Sequence, residues 1–372
     1  MNSDEAAWRI VATGLLAEDR PDTNGALACQ LENAEQLWPQ IIQFADMNFV
    51  SPGLWMALAD KGLDRCVPAD PAQYLGAMRD MNHTRNSALD GQLDELIGAC
   101  NAAGITPGLL KGAAHLKTNL HGDKGVRLMT DLDLIVETGQ LNATVKVLEK
   151  LGYATLPDND IDRSDHHHLT AYVRAGDFGS VEIHKEPMNL EARECLSARE
   201  LWLGAREVRA GELLYRVPSP THSVLLDIVH SEVTDKNLKK LFVSLRSLQD
   251  VKAMILAYGD DIDWTEIHQR MRREGHAGIF RCYLYGLDTL TGFRPLPDLA
   301  FGLRSRVRYR ACRLALRYRF LRRWLVRIYD LSAYRIGQRF SGKQTFLSRN
   351  WNRLRVMAAF VARQFGFARN SR

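Results

Sequence analysis

The chain has 372 residues, 46% of them hydrophobic and 25% charged, with a formal net charge of +5. That length suffices for two or three domains, and the absence of any apolar run near eighteen residues gives no reason to expect a membrane span. The charge is divided: from Arg304 onward 19 Lys and Arg face one acid, Asp330 (+18), while residues 1–303 carry −13, which argues against a uniform nucleic-acid surface on the body.

The opening "MNSDEAAWRI" has early acids and no basic start before an apolar core, so it does not read as a signal peptide. Residues 1–100 read mostly as helix. "SDEAAWRIVATGLLAE" sets a serine cap and acids before an amphipathic pattern, and "SPGLWMALADKGL" is a short helix with Pro near its start. "DPAQYLGAMRDMNHTRNSALDGQLDELIGACNAAG" forms one long helix or two, stopping at Gly104. The pattern then changes. "GLLKG" reads as a short strand and turn, "AAHLKTNL" as a helix, "DLDLIV" as a strand of period two, and "GQLNATVKVLEKLGY" as a helix ending at Gly152. "HHLTAYVRA" and "GSVEIHKE" are two further strands around the turn "GDFG". Helix returns at "PSPTHSVLLDIVHSEV", "LKKLFVSLRSLQDVKAMILAYG" and "DWTEIHQRMRREGHAGIFRCYLYGLDTL", the last capped by Asp263. The expected fold is α+β, a small mixed sheet flanked by N-terminal and C-terminal helical regions. The divisions fall at 1–104 (helical), 105–218 (sheet), 219–295 (helical) and 296–372 (basic amphipathic tail).

The six cysteines, at 29, 66, 100, 195, 282 and 312, form no CxxC pair and fit buried thiols in a reducing cytosol, so a cytoplasmic location is expected.

Two aspartates in "KGVRLMTDLDLIVE" carry the chemistry. Residues i and i+2 of a strand share a face, so Asp131 and Asp133 project together while Leu132 and Leu134 turn to the core. Paired carboxylates raise each other's proton affinity, and a hard divalent cation such as Mg²⁺, with Mn²⁺ as substitute, relieves that. Glu182 in "VEIH" alternates with Val181 and Ile183 and offers a third oxygen ligand from an adjacent strand. Three such carboxylates suit phosphoryl or nucleotidyl transfer, with Asp131, Asp133 and Glu182 as catalytic metal ligands. Lys111 and Arg127 supply positive partners for phosphate. Gly112 permits a tight turn before a helix whose free N–H groups can receive it. A lone DxD at a strand end is also a common solvated feature; "LLKG" before it and "VEIH" after it favour metal chemistry.

At these residues the chain resembles the uncharacterised bacterial nucleotidyltransferase family of the polymerase-beta-like superfamily. The matching elements are "HTRNSALDGQLDEL", "LLKGAAHL", "RLMTDLDLIV", "LGY", "HHHLTAYV" and "VEIHKEP", and the likeness continues through "VPSPTHSVLLDIVH", "SLQDVKAMI" and "DIDWTEI", about residues 80–292. The resemblance implies a polymerase-beta-like core, an NTP substrate (ATP expected), metal ligation by Asp131, Asp133 and Glu182, and a nucleotide site lined by Lys111, Gly112 and Arg127. The superfamily usually opens the helix with Gly-Ser or Gly-Gly; here "KGAA" offers Ala113 and no hydroxyl. His230 and Asp250 also occupy family positions and are expected to join the helical region to the sheet.

The run His166, His167 and His168 invites a zinc reading, but consecutive strand residues point alternately and no cysteine completes a tetrahedral set. The run reads rather as a loop entering a strand near the active site, from which His168 can touch substrate. His184 shares a face with Glu182 and can orient it or contact phosphate. Arg85 can brace a carboxylate or reach the nucleotide.

In the tail, ten arginines lie between 304 and 327, and Val307, Ala311, Leu314, Tyr318, Leu321, Leu325 and Ile328 form one helical stripe. An anionic membrane surface is the favoured partner; a protein partner or the chain's own acidic body follows, and nucleic acid is third. The leading function is Mg²⁺-dependent transfer of an NMP from an NTP to an unidentified hydroxyl or phosphate acceptor, with release of pyrophosphate. The alternative is a non-catalytic nucleotide-binding or assembly module recruited to the membrane surface, and γ-phosphoryl transfer is a smaller one.

Overall fold

The computed structural model describes residues 3–155 and 167–318. Helix α1 (Ser3–Leu16) has Asp4 and Glu5 in its first turn, where the positive end of the helix dipole favours acids. Helices α2 (Pro21–Glu32), α3 (Trp38–Met47) and α4 (Ser51–Asp60) each carry Pro in the first turn, where its missing N–H costs nothing. The long periodic stretch that follows is one helix, α5 (Ala69–Ala102), of 34 residues. Its early Leu75 packs among the N-terminal helices, and its later Leu89, Leu93, Leu96 and Ile97 lie under the sheet.

The sheet-forming part runs β1 (Gly108–Leu109), α6 (Lys111–Lys117), β2 (Asp131–Ile135), α7 (Leu141–Lys150), β3 (Ala154–Thr155), β4 (Tyr172–Val173), β5 (Ser180–His184), α8 (Ala198–Gly204), β6 (Arg206–Ala210) and β7 (Leu213–Val217). The strand order is β3-β4-β5-β2-β1-β7-β6. Strands β2 and β5 pair in parallel, as do β1 and β7; the other neighbours are antiparallel. This is the mixed sheet between helical regions that the sequence led us to expect.

The two faces of the sheet differ as period two requires. Leu132, Leu134, Val181 and Ile183 enter a core shared with α5 and α7. Ile135, on the other face, joins the core built by helices from both ends of the chain, with Leu15, Leu54, Leu225, Phe280 and Leu284. Those later helices are α9 (Pro220–Val229), which continues into a π-helical turn at His230–Thr234, then α10 (Leu245–Tyr258), α11 (Trp264–Arg273), α12 (Ala277–Thr291) and α13 (Leu303–Arg317).

Several expectations need revision. The strand expected at "HHLTAYVRA" shrinks to Tyr172–Val173, with only an isolated bridge from His168 to His184 before it. The hairpin β6–β7 was not anticipated. The helix expected from Leu238 starts at Leu245, after a short 3₁₀ turn and a left-handed Leu241. The helix expected across 264–291 is two, because Gly275 at φ 75° reverses the chain and its neighbour His276 caps Met271 O. Asp263 does cap α11, accepting from Glu266 N at 2.8 Å. All six cysteines are free thiols. Among the described residues no helix is long and apolar enough to cross a membrane. His166 and the stripe positions Leu321, Leu325 and Ile328 lie outside the described residues.

Candidate active site

The parallel register of β2 and β5 sets the carboxylates side by side: Asp131 opposite Ser180, and Asp133 opposite Glu182. Asp133, Glu182 and His184 bring one ligand atom each to within 4.8 Å of one another, a grouping able to hold a metal ion. Asp131, two residues earlier, lies outside that group; its Oδ1 accepts from Thr130 Oγ1 at 3.2 Å, and its charge acts on Lys111, Arg85 and Arg246.

Asp133 is buried and doubly held. Lys111 Nζ donates to its Oδ1 at 3.1 Å, and His184 Nε2 donates to the same oxygen at 2.7 Å. Burial alone would push this carboxyl up, yet Lys111 and His184 hold it well below the usual carboxylate range. Both contacts fall on Oδ1, which leaves Oδ2 for another partner. With Asp133 ionised, the proton of His184 sits on Nε2, and its buried Nδ1 has no hydrogen-bond partner. Lys111 reaches this position from a left-handed backbone, φ 46°, unusual for a side-chain-bearing residue.

Gly112 lies in the first turn of α6 and makes room for Arg127. A Cβ there would meet Arg127 Nη1 at 2.5 Å and Met129 Cε at 3.2 Å. Arg127 itself is committed to the seam between sheet and helices: its Nε donates to both oxygens of Asp250 on α10, at 3.1 and 3.0 Å. Thus Nε of Arg127 is spent on Asp250, while its charge, like that of Arg246, still acts with Asp131. The expected joining role of Asp250 has its geometry here, since His121 Nε2 also lies 3.0 Å from its Oδ1, and His115 Nδ1 lies 4.0 Å away. His115, His121 and Asp250 form a second grouping of metal-ligand type, in which the guanidinium already takes both carboxylate oxygens.

The histidines gather in a way that simple alternation did not foresee. The His167 and His168 rings lie 4.6 Å apart, and 5.2 and 5.3 Å from the ring of His184. The reason is local: His167 O accepts from both Lys185 N and Glu186 N, so the chain crosses β5 at a bridge rather than running along a ladder. His168 Nε2 stands 3.7 Å from Glu182 Oε2. Arg85, on α5, donates from Nη2 to Phe178 O at 3.1 Å. His230 opens the π turn with its charge environment set by Lys111, Asp133 and His184; such turns recur at functional sites.

One cation was not singled out from the sequence. Arg246, in the first turn of α10, lies among Arg127, Asp250, Asp227 and Asp131, and burial disfavours its charge. Its guanidinium stands 5.9 Å from the Phe49 ring, without a carboxylate partner within ion-pair distance among the described residues. In the sequence it looks like any helix-face arginine, and only the fold brings it to this seam.

The model of a family described as uncharacterised nucleotidyltransferases matches residues 34–292, more than half of the chain. The chain belongs to that family. No curated protein matches it. Membership, within the polymerase-beta-like superfamily, makes the protein an enzyme of nucleotidyltransferase type and leaves the acceptor unspecified.

Several buried groups shape the pH dependence of stability in this nucleotidyltransferase: His167 and His230, each lowered to about 3 by burial, act in the same window as His115, and Asp227, raised to about 8 by burial, acts in the same sense as Glu232. Burial, partly offset by Asp250, lowers His115 to about 3, so below its ordinary value near 6.5 the unfolded chain binds a proton the fold refuses. Stability is therefore lost as pH falls through that window. Burial raises Glu232 to about 7, so the fold retains a proton that the unfolded chain releases; stability is lost as pH rises from its ordinary value to about 7. Each contributes about 1.4 kcal/mol per pH unit inside its window. Below about pH 4 the depressed Asp133 adds to the acid loss. Urea denaturation across pH should show His115→Gln flattening the acid limb and Glu232→Gln flattening the neutral one; parallel curves for all three proteins would contradict this.

Proposed function

We propose that this nucleotidyltransferase is Mg²⁺-dependent and moves an NMP from an NTP, ATP being the proposed nucleotide, to a hydroxyl or phosphate acceptor. The observation that carries the reading is the pairing of Asp133 with Glu182 across β2 and β5, with Asp131 on the same strand. The donor set fits a hard cation. Asp133 is held ionised with Oδ2 unengaged, Glu182 is half-buried, and His184 Nε2 and Lys111 Nζ are already spent on Asp133 Oδ1. Asp131, Asp133 and Glu182 would hold the ion. When bound, it would supply the positive charge that offsets the charge developing at phosphorus.

The protein's own groups do the rest. His184 and Lys111 fix Asp133 in one orientation and keep it charged. Lys111 and Arg246 supply positive charge toward a triphosphate, and Gly112 keeps the first turn of α6 narrow behind Lys111. Glu182, the more exposed carboxylate of the pair, takes the proton of an attacking hydroxyl, with His168 beside it. The acceptor oxygen bonds to the α-phosphorus as the bond from that phosphorus to the bridging oxygen breaks, and pyrophosphate leaves.

Incubation with α-labelled ATP, Mg²⁺ and a panel of hydroxyl-bearing acceptors should give labelled adduct and pyrophosphate, and Glu182→Gln should remove both. Release of ADP with γ-phosphate on the acceptor, or unchanged adduct from Glu182→Gln, would contradict the proposal.

A further inference from the structure

We propose that the outward face of α13 is a docking surface for an anionic lipid bilayer. The proposal is independent of the nucleotidyl-transfer reading. The inward face of α13 is already occupied: Tyr309, Cys312 and Leu316 are buried, the Tyr309 ring lies 5.4 Å from that of Tyr285, and Arg313 bonds Glu5 at 2.6 Å. A helix packed by one face normally turns polar residues outward. Here the opposite face is apolar again. Leu303, Val307, Leu314 and Tyr318 are 77, 54, 53 and 59% exposed. Their spacing of four, seven and four places them on one stripe.

That stripe is a third of the exposed large hydrophobics among the described residues, gathered into sixteen positions. Helical geometry places Arg304 along one edge of it and Arg306, Arg310 and Arg317 along the other, all exposed. No acid occurs between Leu303 and Tyr318, and the sequence after Tyr318 keeps the same sign of charge.

The occupant must satisfy both features. Nucleic acid would use the arginines and leave the apolar stripe in water. The chain's own helices have already taken the other face, through Tyr285 and Glu5. An anionic bilayer receives the leucines, valine and tyrosine at the boundary of its acyl region while its headgroups meet the flanking arginines.

The test is flotation of the full chain with phosphatidylcholine vesicles, with and without phosphatidylglycerol. The protein should float only with the anionic vesicles and be released as salt rises from about 0.1 to 0.5 M. Val307→Asp with Leu314→Asp should weaken binding at least about tenfold, as should Arg310→Gln with Arg317→Gln, while Leu203→Asp, at an exposed leucine elsewhere, should bind as the parent does. Equal flotation by both double variants, or equal binding to neutral vesicles, overturns the proposal. So does a failure of the parent to float. In that event a dimer abolished by Val307→Asp with Leu314→Asp would assign the stripe to a second copy. A fall in Tm on the same change, without a dimer, would assign it to the chain's own later residues, and RNA binding that survives it would assign the arginines to phosphate.

Discussion

Asp133→Asn is expected to reduce nucleotidyl transfer by roughly 10²–10³-fold or more, the scale on which a preorganised charge at a reacting phosphate acts. The amide keeps the size of the carboxylate and loses its charge. Lys111 and His184 both donate to Oδ1, so the substitution also takes from the part-buried Lys111 ammonium its bonded counter-charge. Breaking a buried pair costs about 3–5 kcal/mol, and the loss of activity must be separated from loss of fold. Glu182→Gln separates them, since Glu182 is half-buried and has no lysine partner; it should lose transfer to a similar degree with little change in Tm. Lys111→Met should lower both transfer and stability. Full activity in folded Asp133→Asn would remove the carboxylate pair from the chemistry.

Asp250→Ala should be the most destabilising single change at the seam between sheet and helices. It strands Arg127, whose Nε donates to both carboxylate oxygens in a buried setting, and it removes the partner of His121. A loss of about 3–5 kcal/mol follows from the uncompensated guanidinium, which for a chain of this size is roughly 5 °C in Tm. Asp250→Leu combined with Arg127→Met should cost less than the sum of the single changes, because neither charge is then left alone. Additive losses would mean that the two residues do not act as a pair. Gly112→Ala should cost less than Asp250→Ala, since its new Cβ would meet Arg127 Nη1 at 2.5 Å, the end of a side chain that can shift.

Much of the sheet was legible because period two is a strong signal where one strand face is buried. "DLDLIV" and "SVEIH" became β2 and β5, with Leu132 and Leu134 in the core as alternation requires. What alternation along one strand cannot give is register between two. That Asp133, rather than Asp131, falls opposite Glu182 depends on where β5 pairs with β2. The hairpin β6–β7 was legible in principle: Val208, Leu213, Tyr215 and Val217 alternate around an Ala-Gly-Glu turn, but its outer strand is mostly exposed and its polar residues hid the pattern.

Side-chain roles were less legible than strands. Arg127 beside an acidic motif reads as a phosphate contact, and only the packing of α10 against the sheet shows its Nε on Asp250. Arg246 is an unremarked arginine in "SLRSLQD" that the same packing carries beside Arg127, Asp250 and Asp131. His167 and His168 were expected on opposite faces, and an isolated bridge in place of a strand brings both rings to His184. These are long-range consequences of tertiary packing, and local pattern does not encode them.

Whether Asp131, Asp133 and Glu182 form the metal and nucleotide site is decided by the anomalous scattering of a crystal of the full chain grown with Mn²⁺ and a non-hydrolysable ATP analogue. An anomalous peak is expected between the Asp133 and Glu182 carboxylates, with the triphosphate directed toward Lys111 and Arg246. An anomalous peak only at His115, His121 and Asp250, or a nucleotide bound away from β2 and β5, would contradict it.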